Sequence, residues 1–372
     1  MEQLIQEIFE IIQDYRADEG RQNVKVTPER IKLWVSQFEE TERDFILSEL
    51  KSIFEKRYCS KEDAKAFLKQ IIEVLAKDLK YASVPDFLKN CVFLDLQPNG
   101  KSQKKMLSEL DTLVQENYGL SLVDCGSTAK KHFIYVDDIL CTGKTLSDDI
   151  QDWCKLEYAT GETNLDALKK SSANLIFAYI FIHLKNYYKK KAEFGHKIDA
   201  FLRDNHKMYR MVEIDNSDNF NSKFDLVFPL EAEQTEAVEE YKVKIVTQVD
   251  NYTETKGYKK SIEEFYRAQG KPQTETLFTS AENRKRFEKI TLQKGIDILK
   301  NANANIPNMR ALGYSLPSQK NFGFGTLCFT WRNIANNTPL VFWYKGGGFT
   351  PLFEKNQTNT QDFGNFARRV NF

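Results

Sequence analysis

Thirteen residues, Phe133 to Thr145, constrain this chain more than any other stretch: FIYVDDILCTGKT runs from an apolar segment through two adjacent aspartates into a short turn. Phe133, Ile134, Tyr135 and Val136 have the length and β-propensity of a buried parallel strand. Leu146, Ile150 and Trp153 recur at helical spacing, so Leu146 to Trp153 reads as a helix. The order strand, turn, helix implies an open α/β sheet, in which ligands gather at the carboxyl ends of the strands. Free backbone N–H groups and the positive end of the helix dipole make such a turn attractive to an anion. A phosphate on Thr142 to Thr145 follows, because Gly143 lets the backbone come close and the Thr142 and Thr145 hydroxyls add hydrogen bonds. Asp137 and Asp138 cannot serve that phosphate. Ionised carboxylates only accept, so their partners are vicinal ribose hydroxyls or a hydrated divalent cation. The bland alternative is an N-capped helix with a solvated acidic pair.

A second segment repeats the arrangement. Val92 to Leu96 reads as a strand, Gln97-Pro98-Asn99-Gly100-Lys101-Ser102 as a loop, and Gln103 to Leu113 as a helix. Both loops contain Gly-Lys-Ser/Thr, yet a nucleoside-triphosphate P-loop also needs a glycine five residues before its Gly-Lys. Asp95 and Asp138 occupy those positions, so neither loop is a Walker A motif.

On VDDILCTGKT the chain resembles the type I phosphoribosyltransferases, whose signature is an apolar strand, an acidic pair and a T-G-[GK]-T loop. The resemblance implies a Rossmann-like parallel sheet. It also implies that Asp137 and Asp138 hold the ribose 2′- and 3′-hydroxyls of phosphoribosyl pyrophosphate, while Cys141, Thr142, Gly143, Lys144 and Thr145 surround its 5′-phosphate. Gly100, Lys101 and Ser102 would receive the pyrophosphate, and Mg²⁺ would be bound mainly through the substrate's pyrophosphate and ribose. The implied chemistry is displacement at the anomeric carbon, with Lys101 and Lys144 offsetting phosphate charge. Two departures put the acceptor in question. Cys141 stands where purine-salvage members with a TGKT loop carry an acid that serves the base, and Gly119 to Lys131 is short for their mobile lid. The resemblance therefore leaves a non-catalytic nucleotide sensor, or an assembly module with a degenerate pocket, beside the enzyme. Asn336-Asn337-Thr338-Pro339 and the closing Thr350-Pro351-Leu352-Phe353 look like the end of phosphoribosyltransferase-like proteins of bacterial conflict and phage-defence systems.

The flanks divide by character. Glu2 to Arg16, Thr41 to Arg57 and Lys61 to Tyr81 read as amphipathic helices, with Ser60 and Asp63 as a capping box. Residues 1–88 are thus expected to form a helical extension and residues 89–230 the α/β core. Asn174 to Leu184 is too short to span a bilayer and reads as the next central strand. Tyr209 to Ile214 and Phe224 to Phe228 follow as strands beside a polar loop, Asp215 to Asn219. Residues 231–372 are expected to add helices at Glu231 to Val249, Ser261 to Gln269 and Ala281 to Lys300, then a β-rich piece with strands at Leu327 to Trp331 and Leu340 to Tyr344.

Composition narrows the function classes. Fifty-three basic and 53 acidic residues cancel, so nonspecific nucleic-acid binding is not implied, and the runs Lys189 to Lys191 and Arg284 to Arg286 read as solvated helix faces. Six cysteines and four histidines show no metal-ligand or redox spacing, which suits a reducing cytoplasm, and His132 and His183 are expected near strand ends in structural roles. No signal-peptide core or membrane segment is read. The partners expected are phosphoribosyl pyrophosphate or a ribose-phosphate nucleotide, and a protein docking through the N-terminal helices.

Overall fold

The computed structural model describes residues 1–21, 24–217, 223–259, 261–302, 306 and 308–355. Helices α1 (Glu2–Ile12), α2 (Pro28–Ser36), α3 (Arg43–Arg57), α4 (Lys61–Asp78) and α5 (Val84–Leu88) open the chain. Strands and helices then alternate through β1 (Cys91–Phe93), α6 (Ser102–Tyr118), β2 (His132–Leu140), α7 (Lys144–Trp153), α8 (Asn164–Lys169), β3 (Asn174–His183), α9 (Leu184–Lys197), α10 (Ala200–Asp204) and β4 (Lys207–Ile214). The last stretch holds α11 (Glu236–Thr255), α12 (Ala281–Asn301), the short strands β5 (Met309–Arg310) and β6 (Gly313–Tyr314), and the single turn α13 (Leu340–Trp343). The chain divides into two compact units, Cys59–Asp225 and a discontinuous one made of Met1–Tyr58 with Leu226–Phe372.

The first unit is a mixed α/β body around a parallel sheet of four strands, ordered β1-β2-β3-β4. Alternation of side chains along each strand sends Phe133, Tyr135, Leu175, Phe177 and Tyr179 to one face. There they pack with Leu146, Ile150 and Trp153 of α7, Leu168 of α8, Phe194 of α9 and Leu202 of α10. Helix α6 lies on β2, and α4 lies on α6 and β3, with neither contributing to that cluster. They cover the opposite face, to which Ile134, Val136, Ile176, Ala178 and Ile180 point, all buried. With both faces covered, β3 is apolar almost throughout, as a central parallel strand requires. The Ser60 capping box is present: the hydroxyl accepts the Asp63 N–H at 3.0 Å and the Asp63 carboxylate accepts the Ser60 N–H at 3.1 Å.

The discontinuous unit has a helical core. Ile5, Ile8 and Ile12 of α1, Trp34 of α2 and Leu50 and Phe54 of α3 pack with Ile245 of α11, Leu292 and Ile296 of α12 and Phe342 of α13. Polar ties follow the same pairing. Trp34 Nε1 donates to the Val341 carbonyl at 2.7 Å, Arg30 reaches the Leu352 carbonyl at 2.9 Å and Glu354 at 3.0 Å, and Gln37 and Thr350 exchange hydrogen bonds of 2.9 and 2.8 Å. The expected three-part division is therefore replaced: α1 to α3 belong with residues after 225, whereas α4 and α5 belong with the sheet.

Several expectations for the second half are corrected. Leu340 to Tyr344 is not a strand; its first four residues form α13, each of them buried. A short run that is apolar all round carries no period, and here contact on every side admits one helical turn. The terminal piece is not β-rich: Leu327 to Trp331 has only Phe329–Thr330 in strand, and β5 and β6 are two residues each. Ser261 to Gln269 is not helical, because its backbone bonds elsewhere, Glu264 N–H to the Lys320 carbonyl at 2.9 Å and Arg267 N–H to the Pro229 carbonyl at 3.0 Å. Phe224 to Phe228 contributes one bridge, Leu226 to Thr326, rather than a strand. Of the polar loop, Asp218 and Asn219 lie outside the described residues.

Candidate functional site

All four strands run parallel, so the chain leaves each at the same edge of the sheet: Leu94 after β1, Cys141 after β2, Leu184 after β3 and Asp215 after β4. Both Gly-Lys loops and both aspartates lie at or next to this edge. Their closest tie is direct. Ser102, the first residue of α6, donates its hydroxyl to Asp137 Oδ1 at 2.8 Å, and Gln97 Nε2 donates to Asp137 Oδ2 at 2.7 Å. Asp137 Oδ1 also accepts the Asp138 N–H at 2.9 Å, while Asp138 Oδ1 accepts the Ile139 N–H at 2.7 Å. Gln103 braces the first loop from below, its Oε1 accepting the Leu96 and Gln97 N–H groups at 3.0 Å each.

Both aspartates are buried, at 7% and 3% exposure. Loss of water, then the neighbouring Asp138 carboxylate, push the Asp137 carboxyl up to about 8. A polar chain continues beneath it: Gln97 Nε2 also bonds the Tyr135 hydroxyl at 2.6 Å, and that hydroxyl donates to Asp149 Oδ2 of α7 at 2.8 Å. Asp149 is raised as well, chiefly by burial. The acidic pair is thus wired to both flanking helices, α6 through Ser102 and α7 through Asp149.

The second loop is shaped by Gly143. It stands at the N-terminus of α7 with φ +69°, a left-handed conformation that favours glycine, and a Cβ there would meet Lys190 Cγ at 2.6 Å. Thr142 Oγ1 accepts the Lys144 N–H at 3.4 Å, and Asn186 Nδ2 donates to the Cys141 carbonyl at 2.7 Å. Lys144 reaches Asp148 one turn along at 2.7 Å, an exposed pair of the kind that contributes little. Gly100, with φ +90°, and Lys101, at the N-cap of α6, stand beside Ser102.

Residue patterns left several members of this edge unassigned. Lys190 belongs to a run that reads as a solvated helix face, yet its side chain is 16% exposed, lies against Gly143 and pairs with Glu193 at 2.5 Å. Asn216 is buried after β4 and accepts the Lys185 N–H at 3.0 Å, joining the start of α9 to the end of the sheet. Tyr135 and Asp149 carried no signal of their own, because one reads as strand core and the other as helix surface. His132 and His183 do stand at strand ends. His183 Nδ1 sits 2.9 Å from the Leu140 carbonyl, and His132 lies between Tyr81 and Asn174. Two clefts of the same unit, about 430 Å³ against α4 and β4 and about 300 Å³ between α7, α8 and α9, lie away from the acidic pair.

A family model described as PRTase-CE, a phosphoribosyltransferase-like family, matches residues 31–355. The chain belongs to the PRTase-CE family. The match takes in the acidic pair, both loops and most of the discontinuous unit, so family membership covers far more than the TGKT turn. It points to chemistry of the ribose-phosphate transfer type. No curated protein and no solved structure matches this PRTase-CE chain. Among its described residues no helix is long and apolar enough to cross a membrane.

Proposed function

We propose that the carboxyl edge of the sheet binds phosphoribosyl pyrophosphate, or a related ribose-phosphate nucleotide, with Mg²⁺, and that the chain transfers or cleaves at the ribose anomeric carbon as a cytoplasmic effector of bacterial phage defence. One observation carries the reading: the loop after β1 and the acidic pair of β2 are tied together by Ser102 and Gln97, beside a glycine-shaped helix N-terminus. The 5′-phosphate would take the N–H groups and hydroxyls of Thr142 to Thr145, and the pyrophosphate the turn Gly100 to Ser102. Asp138 would accept from the ribose hydroxyls. Asp137, whose oxygens already receive Gln97, Ser102 and the Asp138 N–H, would hold the two loops in register.

Among the described residues no three His, Cys, Asp or Glu side chains gather as a metal cage. The donor set suits an ion carried by the substrate's own oxygens and retained waters, with Asp138 adding one carboxylate. Bound there, Mg²⁺ would neutralise the departing pyrophosphate. In the step itself a nucleophile forms a bond to the anomeric carbon while the carbon–oxygen bond to pyrophosphate breaks, its electron pair leaving with pyrophosphate. Cys141 favours a second reading, a sensor that binds without turnover, because a neutral thiol stands where base-handling members carry an acid.

Isothermal titration with phosphoribosyl pyrophosphate and Mg²⁺, followed by a pyrophosphate-release assay, tests both readings. Loss of a charge-assisted bond in Asp138→Asn is expected to weaken binding by roughly 10- to 100-fold. Release of pyrophosphate by the native chain supports the enzyme, and binding without release supports the sensor. Equal binding by native and Asp138→Asn proteins would sink both.

A further inference from the structure

Three arginines of the discontinuous unit, Arg267, Arg284 and Arg310, are at most 5% exposed. Two of them are matched by glutamates through the same edge of the guanidinium. Arg267 directs Nε and Nη2 to Glu288 Oε2 at 3.3 and 2.7 Å, and Arg284 directs Nε and Nη2 to the two oxygens of Glu275 at 2.5 and 3.0 Å. That edge is a planar two-pronged donor suited to a pair of oxygens.

Arg310 offers the same edge with nothing on it. It is 2% exposed, its Nη1 has only the Met309 carbonyl at 3.5 Å, and its Nε and Nη2 are buried with no hydrogen-bond partner among the described residues. A guanidinium keeps its charge in a protein, so burial leaves an uncompensated cation rather than a neutral side chain. The backbone that carries it is fixed. Arg310 pairs with Gly313, Ala311 N–H donates to the Tyr241 hydroxyl at 3.2 Å, and Gly295 of α12 lies so close that a Cβ would come within 2.6 Å of the Ala311 carbonyl. Buried polar groups in native proteins are paired by protein, water or ion, and a buried full charge most of all.

We propose that the Nε and Nη2 edge of Arg310 is a binding site for a small oxyanion, a carboxylate or a phosphate. The site belongs to the discontinuous unit and does not depend on the function proposed for the acidic pair of β2. The two anions share the paired oxygens the edge receives, and they differ in charge and in the number of remaining acceptors.

The test is thermal unfolding of the full chain refolded in chloride buffer with increasing inorganic phosphate or acetate, for the native protein, Arg310→Lys and Arg310→Met. Refolding in the anion matters because the edge is closed to solvent. The native melting temperature is expected to rise saturably with one of the two anions, by several degrees at about 100-fold excess over its Kd. Both variants are expected to lose that part of the response, the lysine keeping the charge without the two-pronged edge. Should Arg310→Met fail to fold, Arg310→Lys decides alone. Phosphate held at the Thr142 to Thr145 turn would still stabilise Arg310→Lys, which separates the two sites. A response to phosphate alone assigns a phosphoryl group, and a response to acetate alone a carboxylate. An undiminished response in Arg310→Lys, or a native protein with no saturable response, overturns the proposal.

Discussion

At the scale of single residues, two buried groups give this chain opposing pH dependences. Asp137 is raised from 3.8 to about 8 by burial, so the stability of its neutral form is fully present below 3.8 and is lost as pH rises through 8. His132 is lowered from 6.5 to about 4, again mainly by burial, so its contribution is present above 6.5 and is lost as pH falls through 4. Between 4 and 6.5 the two effects oppose one another, and between 6.5 and 8 Asp137 acts alone. Chemical denaturation across pH is therefore expected to show stability falling from 6.5 to 8, with Asp137→Asn removing the fall. Gln97 is the second residue to test. Gln97→Leu removes the buried donor to Asp137 Oδ2 and to the Tyr135 hydroxyl and is expected to cost about 1–3 kcal/mol in urea unfolding. If stability is unchanged, the tie between the first loop and the acidic pair is not energetically significant.

At the scale of elements, the sheet and its helices form where local chemistry agrees with tertiary packing. Ser60 and Asp63 start α4, and Thr163 with Asp166 starts α8 by the same reciprocal bonds. Ser60→Ala is expected to cost about 1 kcal/mol, read as a lowered denaturation midpoint with an unchanged m-value. Helices α6 and α7 each begin at a loop with a left-handed glycine nearby, Gly100 or Gly143, so both present their free N–H groups at the sheet's carboxyl edge. Sequence pattern alone placed these two elements because a strand, a glycine turn and an amphipathic helix all leave short-range signals. Ser261 to Gln269 had a helical pattern but no such outcome, since its backbone partners lie on the Lys320 and Pro229 carbonyls, far away in sequence.

At the scale of the whole molecule, residues before 59 and after 225 build one unit, and its interior holds an ion network rather than apolar contacts alone. Glu288 is fully buried, bonds Arg267 at 2.7 Å and Arg284 at 3.4 Å, and accepts the Phe228 N–H at 3.1 Å. Glu288→Ala is expected to destabilise the chain by about 3–5 kcal/mol, because it leaves the buried Arg267 guanidinium without its carboxylate and takes one of two from Arg284, which keeps Glu275, and equilibrium unfolding measures this directly. A loss under 1 kcal/mol would mean that water replaces the carboxylate. The run Arg284 to Arg286 shows why such a network escaped sequence reading: one of its three residues turns inward, at 1% exposure for the Arg284 side chain, while Arg286 stays half exposed. The sequence by itself determined the parallel strands carrying Val92 and Val136, the two glycine loops, the acidic pair between them and the capped helices, because periodicity and turn chemistry act within a few residues. Only the tertiary structure decided that Ser102 and Gln97 fasten on Asp137, that Leu340 to Trp343 coils, and that α1 to α3 close on a segment two hundred residues away, about the separation of Trp34 from Ile245. Those outcomes depend on which surfaces meet, and pairing over such separations leaves no pattern in a local window.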